Sequence, residues 1–257
     1  MYLRAVHAEH SIPLLRHFIQ ENPLGILTTA IPSQAHHLIQ SSHIPFVLDV
    51  SDPNSEDELP ILRGHIARQN PQAKAIIEHA TANPSPFPTP TSTSHKLQQE
   101  IALLFNGPAH HYISPKFYAA TKPATGKVVP TWNYAAAQAY GEATVYFDSQ
   151  SPETSAFLSR QIDDLSAMAE TQIMGYEEPW RVADAPERYV ELLRKNIIGI
   201  EVRVTSLGGK FKVSQEMGEG DRRGVAEGLE ALGSAEGGYV AGLVRERGGL
   251  GEVEGPK

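Results

Sequence analysis

A proline inside an apolar run, Val128-Val129-Pro130-Thr131-Trp132-Asn133-Tyr134, constrains this chain more than any other stretch. Proline cannot donate to a sheet ladder, so the run belongs at an edge, a bulge or a strand entry rather than in mid-sheet. A hydroxyl, an indole and a carboxamide follow it, more directional hydrogen-bonding groups than a core strand needs. The segment reads as a strand end that presents polar groups to a ligand or a second subunit. A tight structural corner is the other reading.

The chain has 257 residues, 40% hydrophobic and 20% charged, enough for one large domain or one domain with an appendage. It has no cysteine, which excludes disulfides, thiolate catalysis, Cys-ligated zinc and iron–sulfur clusters. The net charge of −8, with no basic stripe, weighs against strong direct binding to nucleic acid. No apolar run approaches the roughly 20 residues that span a bilayer, and the first residues lack a secretory signal. The expectation is a cytoplasmic protein without a membrane anchor.

Residues 11–22 read as a helix capped by Ser11, and 24–30 as a strand. An extended region over 36–50 is interrupted at Pro45, a third strand covers 59–67 and a short helix 71–80. Pro84, Pro86, Pro88 and Pro90 make 81–95 a Pro/Ser/Thr-rich insertion that cannot build a core. Strands resume over 100–105 and 112–113. Residues 128–134 and 135–147 then read as a hairpin-like pair, with Gly141 at a bulge. Ser151-Pro152 starts a helix running to about 172, and 185–195 forms another. A hairpin turning at Gly208-Gly209 and a helix over 221–232 follow. Residues 234–257 are Gly-rich and acidic and read as a poorly ordered tail. The class is α+β, mainly antiparallel β. A barrel core with an N-terminal helix and the insertion fills 1–150, and a helical segment with a completing hairpin and helix fills 151–233.

Three clusters carry chemistry. In the first, His65 and Ala67 share one strand face, while Arg68 and Asn70 sit at the strand mouth, where a guanidinium fork suits a phosphate or carboxylate. In the second, Trp132 offers a stacking surface, with Thr131 and Asn133 to bond a ligand's polar edge. In the third, strand alternation puts Lys210, Lys212 and Ser214 on one face, two ammonium groups and a hydroxyl, followed by Gln215. Each has a plain structural reading too: a surface arginine, a buried tryptophan, an amphipathic strand.

All eleven histidines lie between His7 and His111, including His36-His37 and His110-His111. Adjacent histidines on a strand point to opposite faces, and neither pair has a carboxylate at ligand spacing, so no dedicated metal site is expected. A single histidine ligating haem iron stays open, with His65, His110 and His111 as candidates. There is no Walker loop, Gly-x-Gly-x-x-Gly fingerprint or nucleophile elbow, and no catalytic residue is assigned.

Gly64-His65-Ile66-Ala67-Arg68-Gln69-Asn70-Pro71, residues 105–118, 128–134, Ile197-Ile198-Gly199-Ile200-Glu201 and 209–215 stand in the order and spacing of one family. On these segments the sequence resembles the PaiB-type FMN-binding negative transcriptional regulators. That resemblance implies an FMN-binding split β-barrel with peripheral helices, a homodimer with ligand sites at the subunit interface, and regulatory or sensory work. It implies Arg68 and Lys212 as phosphate partners, with Thr131, Trp132 and Asn133 lining the pocket and Ser214-Gln215 closing it. Glu216 departs from the family pattern and puts a carboxylate near the anion site. The alternatives are a haem-binding or haem-processing split barrel, and a cofactor-free dimeric regulator that binds DNA or a protein.

Overall fold

A computed structural model describes residues 1–83 and 93–250. In chain order its first elements are β1 (Ala8–Glu9), α1 (Ile12–Glu21), β2 (Leu24–Ala30), β3 (Ile39–Pro45), β4 (Val47–Asp49) and β5 (Ile61–Ala67). Then come α2 (Pro71–Ala82), β6 (His95–Ile113), α3 (Thr121–Thr125), β7 (Thr131–Tyr146) and α4 (Pro152–Met168). The last are α5 (Glu187–Arg194), β8 (Ile197–Lys212), α6 (Glu219–Glu230) and α7 (Ala235–Gly248). The class is α+β and mainly antiparallel, as the sequence indicates.

Two compact units share the chain: one holds residues 12–105 and 138–207, the other 1–11, 106–137 and 208–257. The strand order of the sheet is β3-β2-β6-β7-β8-β5-β4, and β2 to β5 lie wholly in the first unit. Strand β2 pairs antiparallel with β3 and β6, and β5 pairs antiparallel with β4 and β8. Leu27, Ile44, Phe46, Leu62, Ile66, Leu103 and Phe105 are buried there, with Phe46 and Phe105 edge to face at 6.0 Å.

The other face of β5 carries a buried charge. Arg63 has a side chain only 2% exposed. Its Nε donates to Asp49 Oδ2 at 2.5 Å, Nη2 to Asp49 Oδ1 at 3.0 Å and Asp164 Oδ2 at 2.7 Å, and Nη1 to Gln161 Oε1 at 3.3 Å. A guanidinium can be buried there because its fork is met by two carboxylates and an amide.

In the second unit β1 pairs with β8, Ala8 opposite Lys210. Its core joins Ala109, Ile113, Tyr118 and Val213 to Val225, Ala226 and Leu229 of α6 and Val240, Ala241 and Val244 of α7.

Several expectations are corrected. The pair 128–134 and 135–147 is one strand, β7, because Tyr134-Ala135 offers no residue suited to a tight turn. Gly141 lies within it where a Cβ would stand 2.4 Å from the Arg203 carbonyl oxygen, so a close strand approach requires the glycine. The hairpin at Gly208-Gly209 is likewise one strand, β8: neither glycine has the positive φ of a tight primed turn. Strand β6 is continuous from His95, and the 151–172 helix ends at Met168 in a π-turn over Ala169–Ile173. The segment after Gly233 is α7, not a disordered tail, through Gly248. Ser234 caps it by accepting from Gly237 N at 3.0 Å, and Gly249 ends it at φ 62°. Of the 81–95 insertion, Thr81 and Ala82 close α2 and His95 opens β6, while residues 84–92 lie outside the described residues, as do 251–257.

Candidate functional site

In the second unit, Pro130 stands just before β7, the strand-entry position its missing N–H favours. Alternation buries Asn133 and leaves Trp132 48% exposed. Trp132 Nε1 donates to His110 Nδ1 at 3.1 Å, with the rings 5.6 Å apart, and Tyr112 meets the indole edge-on at 6.1 Å. That bond leaves the proton of neutral His110 on Nε2. Neighbouring His111 is spent differently, its Nδ1 donating to Tyr112 O at 2.7 Å.

Lys212, the last residue of β8, donates to Thr131 Oγ1 and, at 2.8 Å, to the Trp132 carbonyl. Both acceptors are neutral, so its charge has no contact partner of opposite sign among these bonds, and one of its three N–H groups remains. Burial pulls the Lys212 ammonium below the ordinary lysine range, while the more distant Glu216 carboxylate works against that. Burial would also raise Glu216, but a 2.9 Å hydrogen bond from His7 and further favourable contacts hold it below the usual range. The carboxylate that departs from the family pattern is thus tied to His7.

Lys210 lies 5.5 Å from the Tyr134 ring centroid and 5.8 Å from that of Tyr2. Ser214 falls past the end of β8 and turns inward, away from the strand alternation expected for it. It is 1% exposed at φ 67°, the one non-glycine residue with positive φ among the described residues. Asn133 Nδ2 donates to its hydroxyl at 3.0 Å, so the buried carboxamide fixes a strained turn. Gln215 closes the same turn: its Oε1 accepts from Val213 N at 2.8 Å and its Nε2 donates to Phe211 O.

His65, Arg68 and Asn70 belong to the other unit. Arg68 Nη2 donates to Phe147 O at 2.5 Å and Nε to Lys195 O at 3.2 Å. The cavity beside it within one chain is about 40 Å³. Asn70 caps α2, accepting from Gln72 N at 2.8 Å, and its Nδ2 donates to Ser42 Oγ at 3.0 Å. Asn70→Ala is therefore expected to lower stability by about 1 kcal/mol through the lost cap. An unchanged urea midpoint would refute that role.

The structure thus brings Thr131, Trp132 and Lys212 together, with Asn133, Ser214 and Gln215 shaping the adjoining turn. His110 and Tyr112 complete the aromatic group. Neither was assigned to it from sequence, since a pairing some 20 residues away in the chain leaves no local signal. An ammonium with a spare N–H, a hydroxyl and the exposed face of an indole fit an anionic group joined to a planar ring.

A family model described as "Putative FMN-binding domain" matches residues 1–206. The chain belongs to this family. Among relatives, an uncharacterized protein of Aspergillus fumigatus is 60% identical over 260 residues, covering 97% of this chain and 98% of its own. The protease synthase and sporulation protein PAI 2 of Bacillus subtilis is 24% identical over 229 residues, covering 89% and 87%. A pyridoxamine 5′-phosphate oxidase-related, FMN binding protein of Nostoc punctiforme shares 12% identity, covering 81% of this chain and 86% of its own, at a TM-score of 0.36. Family membership and the antiparallel sheet together give the FMN-binding split-barrel class expected from the sequence. Among the described residues no helix is long and apolar enough to cross a membrane.

Proposed function

We propose that this chain binds FMN, or a planar anionic cofactor of the same build, as a homodimer with a regulatory or sensory role. One observation carries the reading: a half-buried ammonium, Lys212, is held by neutral acceptors beside the exposed indole of Trp132. Bound there, FMN would supply its redox-active ring, Lys212 and Thr131 would hold the phosphate, and Trp132 would lie against the ring. Membership of the FMN-binding domain family supports the cofactor. The exposed Val129, Tyr112 and Trp132 support burial against a second copy. The regulatory part leans on the Bacillus relative, whose name concerns protease synthesis and sporulation.

The test is a titration of purified protein with FMN, riboflavin and haemin, followed by visible absorption, with mass measured by light scattering. FMN should bind saturably to a dimer, at least about 10-fold more tightly than riboflavin, since only FMN carries the phosphate. No shift of the flavin bands would remove the cofactor from the reading. Haemin uptake with a Soret band and no flavin binding would replace it with haem.

A further inference from the structure

The unit formed by residues 12–105 and 138–207 holds a cavity that the cofactor reading does not use. It has a volume of about 520 Å³, within the range of small-molecule sites. Ile162 and Leu165 of α4, Trp180, Val182, and Tyr189 and Leu193 of α5 form its helical wall. The sheet supplies the floor through His65, Ala67 and Ile197. The strand alternation that turns Leu62, Gly64 and Ile66 to one side of β5 turns His65 to the other, in line with Arg63.

This wall is built without being spent on packing. Helix α5 has no fully buried residue, and Trp180, Tyr189 and Leu193 are each about half exposed. The polar groups at the rim are engaged, Arg194 Nη1 donating to Ser159 Oγ at 2.5 Å and Asn196 Nδ2 to Leu192 O at 3.2 Å. His65 differs. Its Nδ1 is buried with no hydrogen-bond partner, and the residue lies on the cavity lining. Burial lowers the His65 pKa, so the imidazole is neutral at pH 7 and can exchange one hydrogen bond with a hydroxyl. Away from Arg194 the lining carries no formal charge and disfavours a carboxylate or ammonium, while a flat ring gains from Trp180 and Tyr189.

We infer that this cavity binds an uncharged, flat aromatic molecule carrying a hydroxyl, with the rings between Trp180 and Tyr189 and the hydroxyl on His65. The inference is independent of the FMN reading, because it uses other residues of a separate unit.

The chain has two tryptophans, so Trp132→Phe leaves Trp180 as the sole indole and a reporter inside the cavity. Full-length Trp132→Phe protein is titrated with 2-naphthol, naphthalene and 2-naphthoate, following Trp180 quenching. Saturable quenching by 2-naphthol is expected, with naphthalene binding about 10-fold more weakly for want of the hydroxyl hydrogen bond. Adding His65→Phe should bring the two within about two-fold, and adding Ala185→Phe, a half-buried loop position on the lining, should abolish both. If His65→Phe unfolds, the naphthol-to-naphthalene ratio and Ala185→Phe still decide. Equal affinities, no saturable quenching, or tighter binding of 2-naphthoate, which would point to Arg194, would each overturn the inference.

Discussion

Arg63→Ala should destabilise the fold by about 3–5 kcal/mol, the range for breaking a buried ion pair from one side. At roughly 2–4 °C per kcal/mol for a chain of this size, that is a drop in Tm of roughly 6–20 °C. The loss is large because the guanidinium is the common partner of Asp49, Asp164 and Gln161. Removing it leaves two carboxylates facing each other beside an empty volume on the buried face of β5. Both are partly exposed, Asp164 at 42% and Asp49 at 28%, so water softens the penalty and the lower end of the range is favoured. Arg160, also paired with Asp49 at 3.2 Å, is 62% exposed and should contribute far less when truncated. Arg63→Met combined with Asp164→Asn should recover much of the loss, because it refills the volume and removes one stranded charge. Thermal melts of the three variants beside the unchanged protein test this, and an Arg63→Ala loss below about 1 kcal/mol would show that the network contributes specificity rather than stability.

That network also shows where sequence reasoning stops. Arg63 opens the first segment singled out for chemistry, but its partners are 14, 98 and 101 residues away, and no spacing rule links them. Signals that act locally were legible. Asn70-Pro71 starts α2 and Ser151-Pro152 starts α4, because a cap and a proline act within one turn. The strand at 24–30 and the entry at Pro130 follow for the same reason. Glycine misled where it does not turn the chain: Gly141 and Gly208-Gly209 lie inside β7 and β8, and Gly237 inside α7, with Gly141 and Gly237 each against another segment's backbone. Helix α7 has almost no amphipathic pattern to read, and its order comes from Val240, Ala241 and Val244 packing on α6. Of the candidate site, the residue types at 131–133 and 210–215 were visible in the sequence. The division of labour was not: Asn133, Ser214 and Gln215 spend their hydrogen bonds on the turn, and Lys212 keeps a free one.

Lys212→Ala should weaken FMN binding by roughly 10- to 150-fold, the equivalent of one charge-assisted hydrogen bond of about 1.5–3 kcal/mol, and leave riboflavin nearly unaffected. Its pH dependence separates charge from shape. Burial places the free-protein pKa of Lys212 below the ordinary lysine value, and a bound phosphate would raise it, since it stabilises the protonated form. Affinity is then full below the free-protein pKa and falls as pH rises through it, on the acid side of where an exposed lysine titrates. The same shift means that folding is penalised while Lys212 is charged, and the penalty fades as pH climbs from the folded towards the unfolded pKa. Alkaline pH should therefore weaken FMN binding through Lys212, while buried Tyr118 and half-buried Tyr146, whose ionisation burial opposes, lower the stability of the fold there, so an apoprotein melt at each pH separates the two losses. Lys212→Arg, charged throughout, should flatten the FMN profile. Riboflavin carries the same ring without the phosphate, so its profile corrects for ring ionisation. An alkaline fall in FMN affinity that persists unchanged in Lys212→Arg would assign the phosphate to another residue, with Lys210 the nearest alternative on the strand.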